Sequence, residues 1–217
     1  MKLSWGGQFG TEYSGYFYRN IHFTLSRVNE RIWRYFPLYL AIALSTELTS
    51  IYLRHHGHPR TNWVYNIYGV FEIASISLML HQILKPRITD WRFFYFGVIL
   101  VAGLYVFETI SHGIFERYDL TNGLFGLFVV LSALTYLKRL MEDPHYVALS
   151  RDPNFWWTLG ALFFYFAFTS LNVLHGRLIK FPREYNPLFR YTYAGINVIL
   201  YALWSYAFIC KKWKSRT

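Results

Sequence analysis

The sequence predicts an all-α fold, a polytopic membrane helix bundle of six transmembrane helices preceded by an N-terminal amphipathic helix lying on the membrane surface. Three observations predict it. Six stretches of about 20 mostly apolar residues, the length a helix needs to cross a bilayer's hydrocarbon core, follow one another between short breaks. Trp and Tyr gather at their ends, where an amphipathic ring sits at headgroup level. Charge is scarce: 16% of the 217 residues are charged and 22% are aromatic, whereas an average soluble domain carries about a quarter charged residues. This composition excludes a disordered chain. The single cysteine, Cys210, excludes an intramolecular disulfide and a multi-cysteine zinc ribbon.

The chain divides into residues 1–32 and residues 33–217. In the first part Tyr13, Phe17, Ile21, Leu25, Val28 and Ile32 recur at helical spacing, with Arg19, Asn20, Arg27 and Arg31 between them. This pattern suits a helix lying on the inner leaflet. No apolar run with a small-residue cleavage site marks a signal peptide. The second part holds the six windows: Trp33–Leu53, Trp63–Leu84, Arg92–His112, Leu120–Leu140, Phe155–Gly176 and Phe189–Lys211. Asp152-Pro153 and Asn186-Pro187 each set a capping side chain before a proline suited to a first helical position. Asp90 and Asn122 are expected to cap the third and fourth helices in the same way.

Lys and Arg orient the chain. The segments before helix one, between helices two and three, between four and five, and after six hold most of them: Arg27, Arg31, Arg34, Lys85, Arg87, Arg92, Lys138, Arg139, Arg151, Lys211 and Lys212 are examples. The opposite side holds fewer: Arg54, Arg60, Arg117, Arg177, Lys180, Arg183 and Arg190. Short loops rich in Lys and Arg stay cytoplasmic, so both termini are expected in the cytoplasm. The net charge of +10 is mostly this flanking charge. No basic groove on a soluble surface is in evidence, so a nucleic-acid partner is not expected.

The helices pair into three similar hairpins of about 60 residues each, the span of a two-helix membrane repeat. Odd helices open with aromatics and close with His56-Gly57, His112-Gly113 and His175-Gly176. Even helices open after Asn62, Asn122 and Asn186 and close with Lys85, Lys138 and Lys211.

Three glutamates, Glu47, Glu72 and Glu108, fall inside the apolar windows. An ionisable residue within a membrane faces a cavity or a partner and marks a functional hypothesis. Polar stripes accompany them. Helix one carries Ser45, Thr46, Thr49 and Ser50, and helix two Tyr65, Tyr68, Gly69 and Ser75. Helix three stacks Tyr105, Glu108, Ser111 and His112, helix five adds Thr169, Ser170 and Asn172, and helix six repeats Tyr193, Asn197, Tyr201 and Ser205. Helix four is the poorest. A polar cavity between helices one, two, three, five and six, open to the outside, is therefore expected, built on Glu47, Tyr65, Tyr68, Glu72, Tyr105, Glu108, Tyr193, Asn197 and Tyr201. The competing expectation is that these groups only join helices, at about 0.6 kcal/mol per hydrogen bond.

Histidines crowd the same end. His56, His112 and His175, with Glu108, have the donor types for a divalent metal such as zinc or copper. Loop histidines with no ligand remain the plainer alternative, and no HExxH motif is present. There is also no Walker loop, GxGxxG or GxSxG, and no mid-helix lysine in the last helix to carry a retinal Schiff base.

Ser45-Thr46-Glu47-Leu48, Asn62-Trp63-Val64-Tyr65-Asn66-Ile67-Tyr68 leading to Phe71-Glu72, and Asp152-Pro153-Asn154-Phe155-Trp156-Trp157 leading to Phe164-Tyr165-Phe166 resemble a family of small uncharacterised polytopic membrane proteins common in Bacteroidota, with six or seven transmembrane helices. The Tyr-x-x-Tyr-x-x-x-Glu pattern of Tyr65, Tyr68 and Glu72 carries most of the likeness. Members often begin with a spanning helix where this chain has its amphipathic segment. The resemblance implies a membrane fold and a bacterial inner-membrane location, no established activity, and by analogy alone an association with sensor kinases.

Three functions fit these features. The first is a non-enzymatic sensory or scaffold module that binds a small ligand, metal or proton and signals to a membrane-protein partner or a second copy of itself. The second is an ion or proton channel or transporter. The third is a membrane enzyme acting on lipid, with Glu108 and His112 as base or metal ligand. The lipid bilayer is a partner in all three, and a bound lipid or a divalent metal is the cofactor to look for.

Overall fold

Polar backbone in lipid must satisfy its own hydrogen bonds, and a helix does so within one segment. The computed structural model describes residues 33–58, 61–143, 149–178 and 187–214, with side chains at 174–178, 187–190 and 213–214 excepted. Among them are α1 (Trp33–His55), α2 (Asn62–Leu84), α3 (Arg92–His112), α4 (Asp119–Met141), a 3-10 turn (Leu149–Arg151), α5 (Pro153–Leu178) and α6 (Pro187–Lys214), with no strand. The amphipathic segment expected over 1–32 and the Asn186 cap lie outside the described residues.

Five of these helices, α1 to α4 and α6, are long and apolar enough to cross a membrane, so the chain is a multi-pass membrane protein. Exposed apolar side chains agree with that: Phe93 is 85% and Ile110 80% exposed on α3, a surface suited to acyl chains and costly in water. Helix α3 buries only Phe94, Val101 and Glu108, seven residues apart on a single stripe. The 26-residue α5 lies outside the set of five. It packs against both α4 and α6, with Trp157, Thr158 and Tyr165 buried and Phe166 exposed.

Local chemistry sets the helix ends. In α1 the amides of Gly57 and His58 donate to the carbonyls of Arg54 (3.3 Å) and Leu53 (3.0 Å), with Gly57 at φ +80°. This is the double-bonded C-terminal turn that needs a left-handed residue. Gly113 ends α3 at φ +75°. The third His-Gly pair behaves differently: His175-Gly176 lies inside α5, which continues to Leu178, because a glycine stops a helix only where the chain must turn. Asp90 Oδ1 accepts the Arg92 amide at 3.0 Å. Asp152 Oδ1 accepts the Asn154 amide at 3.2 Å, with Pro153 first in α5. Asn122 does not cap α4. That helix begins earlier, at Asp119, because another helix supplies its cap.

One aromatic cluster holds the lower half together. Trp33, Phe36 and Tyr39, at three-residue steps on α1, meet Trp204 and Phe208 of α6 and Trp157 of α5. Trp157 and Trp204 stack 5.8 Å apart at 2°, and Trp204 Nε1 donates to the Trp157 carbonyl at 3.1 Å. Tight contacts surround α5: Gly126 of α4 lies under the Thr169 hydroxyl and Gly160 under Trp204. Near the Lys138 end, Arg87 pairs with Asp143 at 3.0 Å and lies 5.4 Å over the Tyr136 ring, while Tyr136 Oη donates to Asp152 at 3.0 Å.

A methyl group at Gly126 has no room beside Thr169, whereas Gly123 on the same helix faces open space. Gly126→Val should therefore cost about 1–3 kcal/mol by overpacking. Gly123→Val should leave stability nearly unchanged. Unfolding of the purified protein by titrated SDS measures the difference.

Candidate functional site

The polar side chains of the bundle converge on one cavity of about 370 Å³. One face of α1 enters it at steps of four and seven residues, through Tyr39, Ala43, Glu47 and Arg54. The α2 wall is Asn62, Tyr65, Asn66, Tyr68, Gly69 and Glu72. Tyr105 comes from α3, Thr121, Asn122 and Phe125 from α4, Phe164, Tyr165 and Phe168 from α5, and Tyr193, Asn197, Tyr201 and Trp204 from α6. It reaches from exposed Arg54 down to Tyr39, about 22 Å along α1 at 1.5 Å per residue. The Trp157–Trp204–Phe36 cluster lies at its base.

Two carboxylates stand in the wall, each with one tyrosine donor. Tyr65 Oη donates to Glu47 Oε2 at 3.0 Å, joining α2 to α1. Tyr165 Oη donates to Glu72 Oε1 at 2.7 Å, joining α5 to α2. A carboxylate has acceptor sites for about four hydrogen bonds, so both keep capacity for a ligand. Tyr68 Oη donates to Tyr39 Oη at 3.0 Å, and Tyr105 Oη to the Asn66 carbonyl at 3.0 Å. Asn197 Nδ2 donates to the Tyr193 carbonyl at 2.9 Å. Tyr193 and Tyr201 are within electrostatic reach of both glutamates.

At the upper rim, Asn66 Nδ2 donates to the carbonyls of Ile114 and Glu116, both at 2.7 Å, and Asn62 Nδ2 to that of Phe115 at 3.2 Å. One turn of α2 thus holds the α3–α4 connection and sets Arg117 and Tyr118 beside the cavity. Arg117 pairs with Asp119 at 2.7 Å and donates to Asn172 at 2.8 Å.

Of the residues expected to line a cavity, Glu47, Tyr65, Tyr68, Glu72, Tyr105, Tyr193, Asn197 and Tyr201 share this one, and Glu108 does not. Glu108 is 3% exposed. Its two oxygens accept the amides of Leu120 (3.1 Å) and Thr121 (2.9 Å). It is the N-terminal cap of α4, delivered from α3, where the free amides and the positive end of the helix dipole favour a carboxylate. Helix α4, expected to contribute little, adds Thr121 and Asn122. Tyr39, Arg54, Arg117, Tyr165 and Trp204 line the cavity as well, beyond the residues expected there. A stripe of Thr158, Tyr165, Thr169 and Asn172 on α5, and of Tyr39, Ala43 and Glu47 on α1, was the available signal.

The residues considered for a metal are not gathered. His56 is exposed in the turn after α1, its Nδ1 2.9 Å from the Tyr52 carbonyl; His112 is exposed on α3, and both oxygens of Glu108 face α4 amides. The side chain of His175 lies outside the described residues. Among those described, no three His, Cys, Asp or Glu side chains are grouped to hold a metal ion.

No family model, curated protein or solved structure matches this chain. Site chemistry is therefore the ground for function.

Glu108→Ala leaves two amides of α4, one buried and one partly buried, without an acceptor. It should destabilise the protein by about 1–3 kcal/mol, seen as a lower melting temperature in detergent, with Glu108→Gln, which keeps one acceptor, in between.

Proposed function

We propose that this chain is a membrane-embedded sensory or scaffold module that binds a small polar ligand in its cavity and passes the occupancy to a partner on its basic side. One observation carries the reading: the cavity has the volume of a small-molecule site, typically about 300–1,000 Å³, and two glutamates from different helices stand in its wall. Helix joining alone needs no such space. The aromatic cluster beyond Tyr39 and Trp204 favours a binding site over a continuous ion path. The carboxylates at mid-depth keep a transporter as the second reading, because alternating access requires a site closed on one side.

In this proposal α5 is the sixth span, since 26 residues rise about 39 Å. Six spans return both termini to one side, cytoplasmic by the Lys and Arg bias. The membrane is the bacterial inner membrane, on the strength of the motif resemblance.

Gly69 lines the cavity, and a side chain added there meets open space. Gly69→Leu should fold as stably as the natural chain and fill the site. Native mass spectrometry of gently extracted protein should show a retained small-molecule adduct that Gly69→Leu loses. An adduct-free natural protein, or one whose adducts survive Gly69→Leu, counts against the cavity as a site. Sealed proteoliposomes should show no proton or cation flux; flux lost in Glu72→Gln would favour the transporter.

The threading has its own check. In a Cys210→Ala background, His58→Cys should react with a membrane-impermeant maleimide in intact cells. A cysteine added after Thr217 should react only after permeabilisation.

A further inference from the structure

The cavity's lining narrows the chemistry of its occupant. Its walls are aromatic, and its carboxyl groups at depth are Glu47 and Glu72. Tyr39, Tyr68, Tyr201 and Trp204 form adjoining walls: ring centroids are 6.4 Å apart for Tyr39–Tyr68, 6.1 Å for Tyr39–Trp204 and 6.5 Å for Tyr201–Trp204, at interplanar angles of 35° to 74°. Tyr39 also stacks on Phe36 and Phe71 and Trp204 on Trp157, so the wall is continuous aromatic surface, and an aromatic ring attracts a cation within about 6 Å of its face. Glu47 and Glu72 stand in the same walls. The arginines lie near the rim. Arg54 is seven residues from Glu47, about 10 Å along α1, and Arg117 is paired with Asp119.

A second observation is independent of charge. Tyr118 Oη and Thr121 Oγ1 are buried, on residues 2% and 1% exposed, and neither has a hydrogen-bond partner among the described residues. Both residues line the upper part of the cavity. Buried hydroxyls are normally bonded, and these two have almost no accessible surface, so each would meet an occupant's polar group only by turning its side chain toward the cavity.

Resting on the binding-site reading above, we infer that the cavity takes a small organic cation, an ammonium or quaternary ammonium group seated against Glu47, Glu72 and the tyrosine–tryptophan walls, with a hydroxyl or other polar group that meets Tyr118 and Thr121. The bulk of an alkylated ammonium suits aromatic walls, and the carboxylates supply its counter-charge in a medium where charges interact strongly. An amino-alcohol headgroup has both parts, free in solution or attached to a lipid.

The test uses the full chain in nanodiscs of phosphatidylglycerol, a lipid without an amine, with choline and ethanolamine as probes and tryptophan fluorescence as the readout. Choline or ethanolamine should give a saturable change. The neutral isostere 3,3-dimethylbutan-1-ol, sodium and potassium should not. Glu47→Gln and Glu72→Gln should each weaken the probe about tenfold, and Gln still offers an acceptor to Tyr65 or Tyr165, so the helix contacts survive. Tyr201→Leu, which removes the ring, should weaken the probe more than Tyr201→Phe, which keeps it. In phosphatidylethanolamine nanodiscs, a raised apparent Kd identifies the lipid headgroup as the source, and an unchanged one identifies the free amine; both agree with the inference. A response to the neutral isostere equal to that of choline overturns it, as does the absence of any saturable response to either amine. If native mass spectrometry shows an anionic or neutral adduct that Gly69→Leu removes, the cation fails and the binding site stands. If there is neither adduct nor amine response, both fail.

Discussion

Lipid offers no hydrogen-bond partner, and the polar groups on these helices have to find theirs inside the protein. That constraint organises the bundle. Glu47 takes its donor from Tyr65 and Glu72 from Tyr165. Glu108 takes two backbone amides from the first turn of α4. Three acidic residues thereby fix three helix pairings: α1 to α2, α2 to α5, and α3 to the start of α4. Smaller groups are satisfied locally, as when Ser45 and Thr49 hydroxyls donate to carbonyls one turn back, at 2.8 and 2.7 Å. Such back-bonding lets a hydroxyl sit on an exposed face of a membrane helix.

Packing does the rest, and α5 is its centre. Association of helices in lipid gains little from the hydrophobic effect, so close fit matters more. Gly126 admits Thr169 and Gly160 admits Trp204, and the flat stack of Trp157 on Trp204 carries a hydrogen bond as well as ring contact. The same aromatic cluster reaches the cavity wall through Tyr39 and Trp204. Stability and site are therefore built from shared residues: Tyr39, Tyr165 and Trp204 are at once core side chains and cavity wall.

The helices themselves were legible because bilayer thickness imposes a length on every span and composition reports it directly. The expected windows Arg92–His112 and Leu120–Leu140 fall within a residue of α3 and α4. Asp90 and Asp152 cap as their position before a helix suggests. The site was legible in part. Tyr65, Tyr68, Gly69 and Glu72 share one face of α2 by their three- and four-residue steps, and that face does border the cavity. Glu108 was not distinguishable from Glu72: both sit on polar stripes within apolar windows, and what separates them is the element packed opposite. Tyr165 was hidden for the complementary reason, since its partner Glu72 is 93 residues away in the chain.

Sequence alone determined that the chain is helical and membrane-spanning, which stretches form its helices to within a few residues, and which residue types each helix face presents, because those properties depend on local periodicity and on the solvent. Only the tertiary structure decided which polar faces enclose space and which close against a neighbour. Glu108 became a cap and Glu47 and Glu72 became cavity walls through the rotation and proximity of other helices, and that information resides in contacts between distant segments rather than in any one of them.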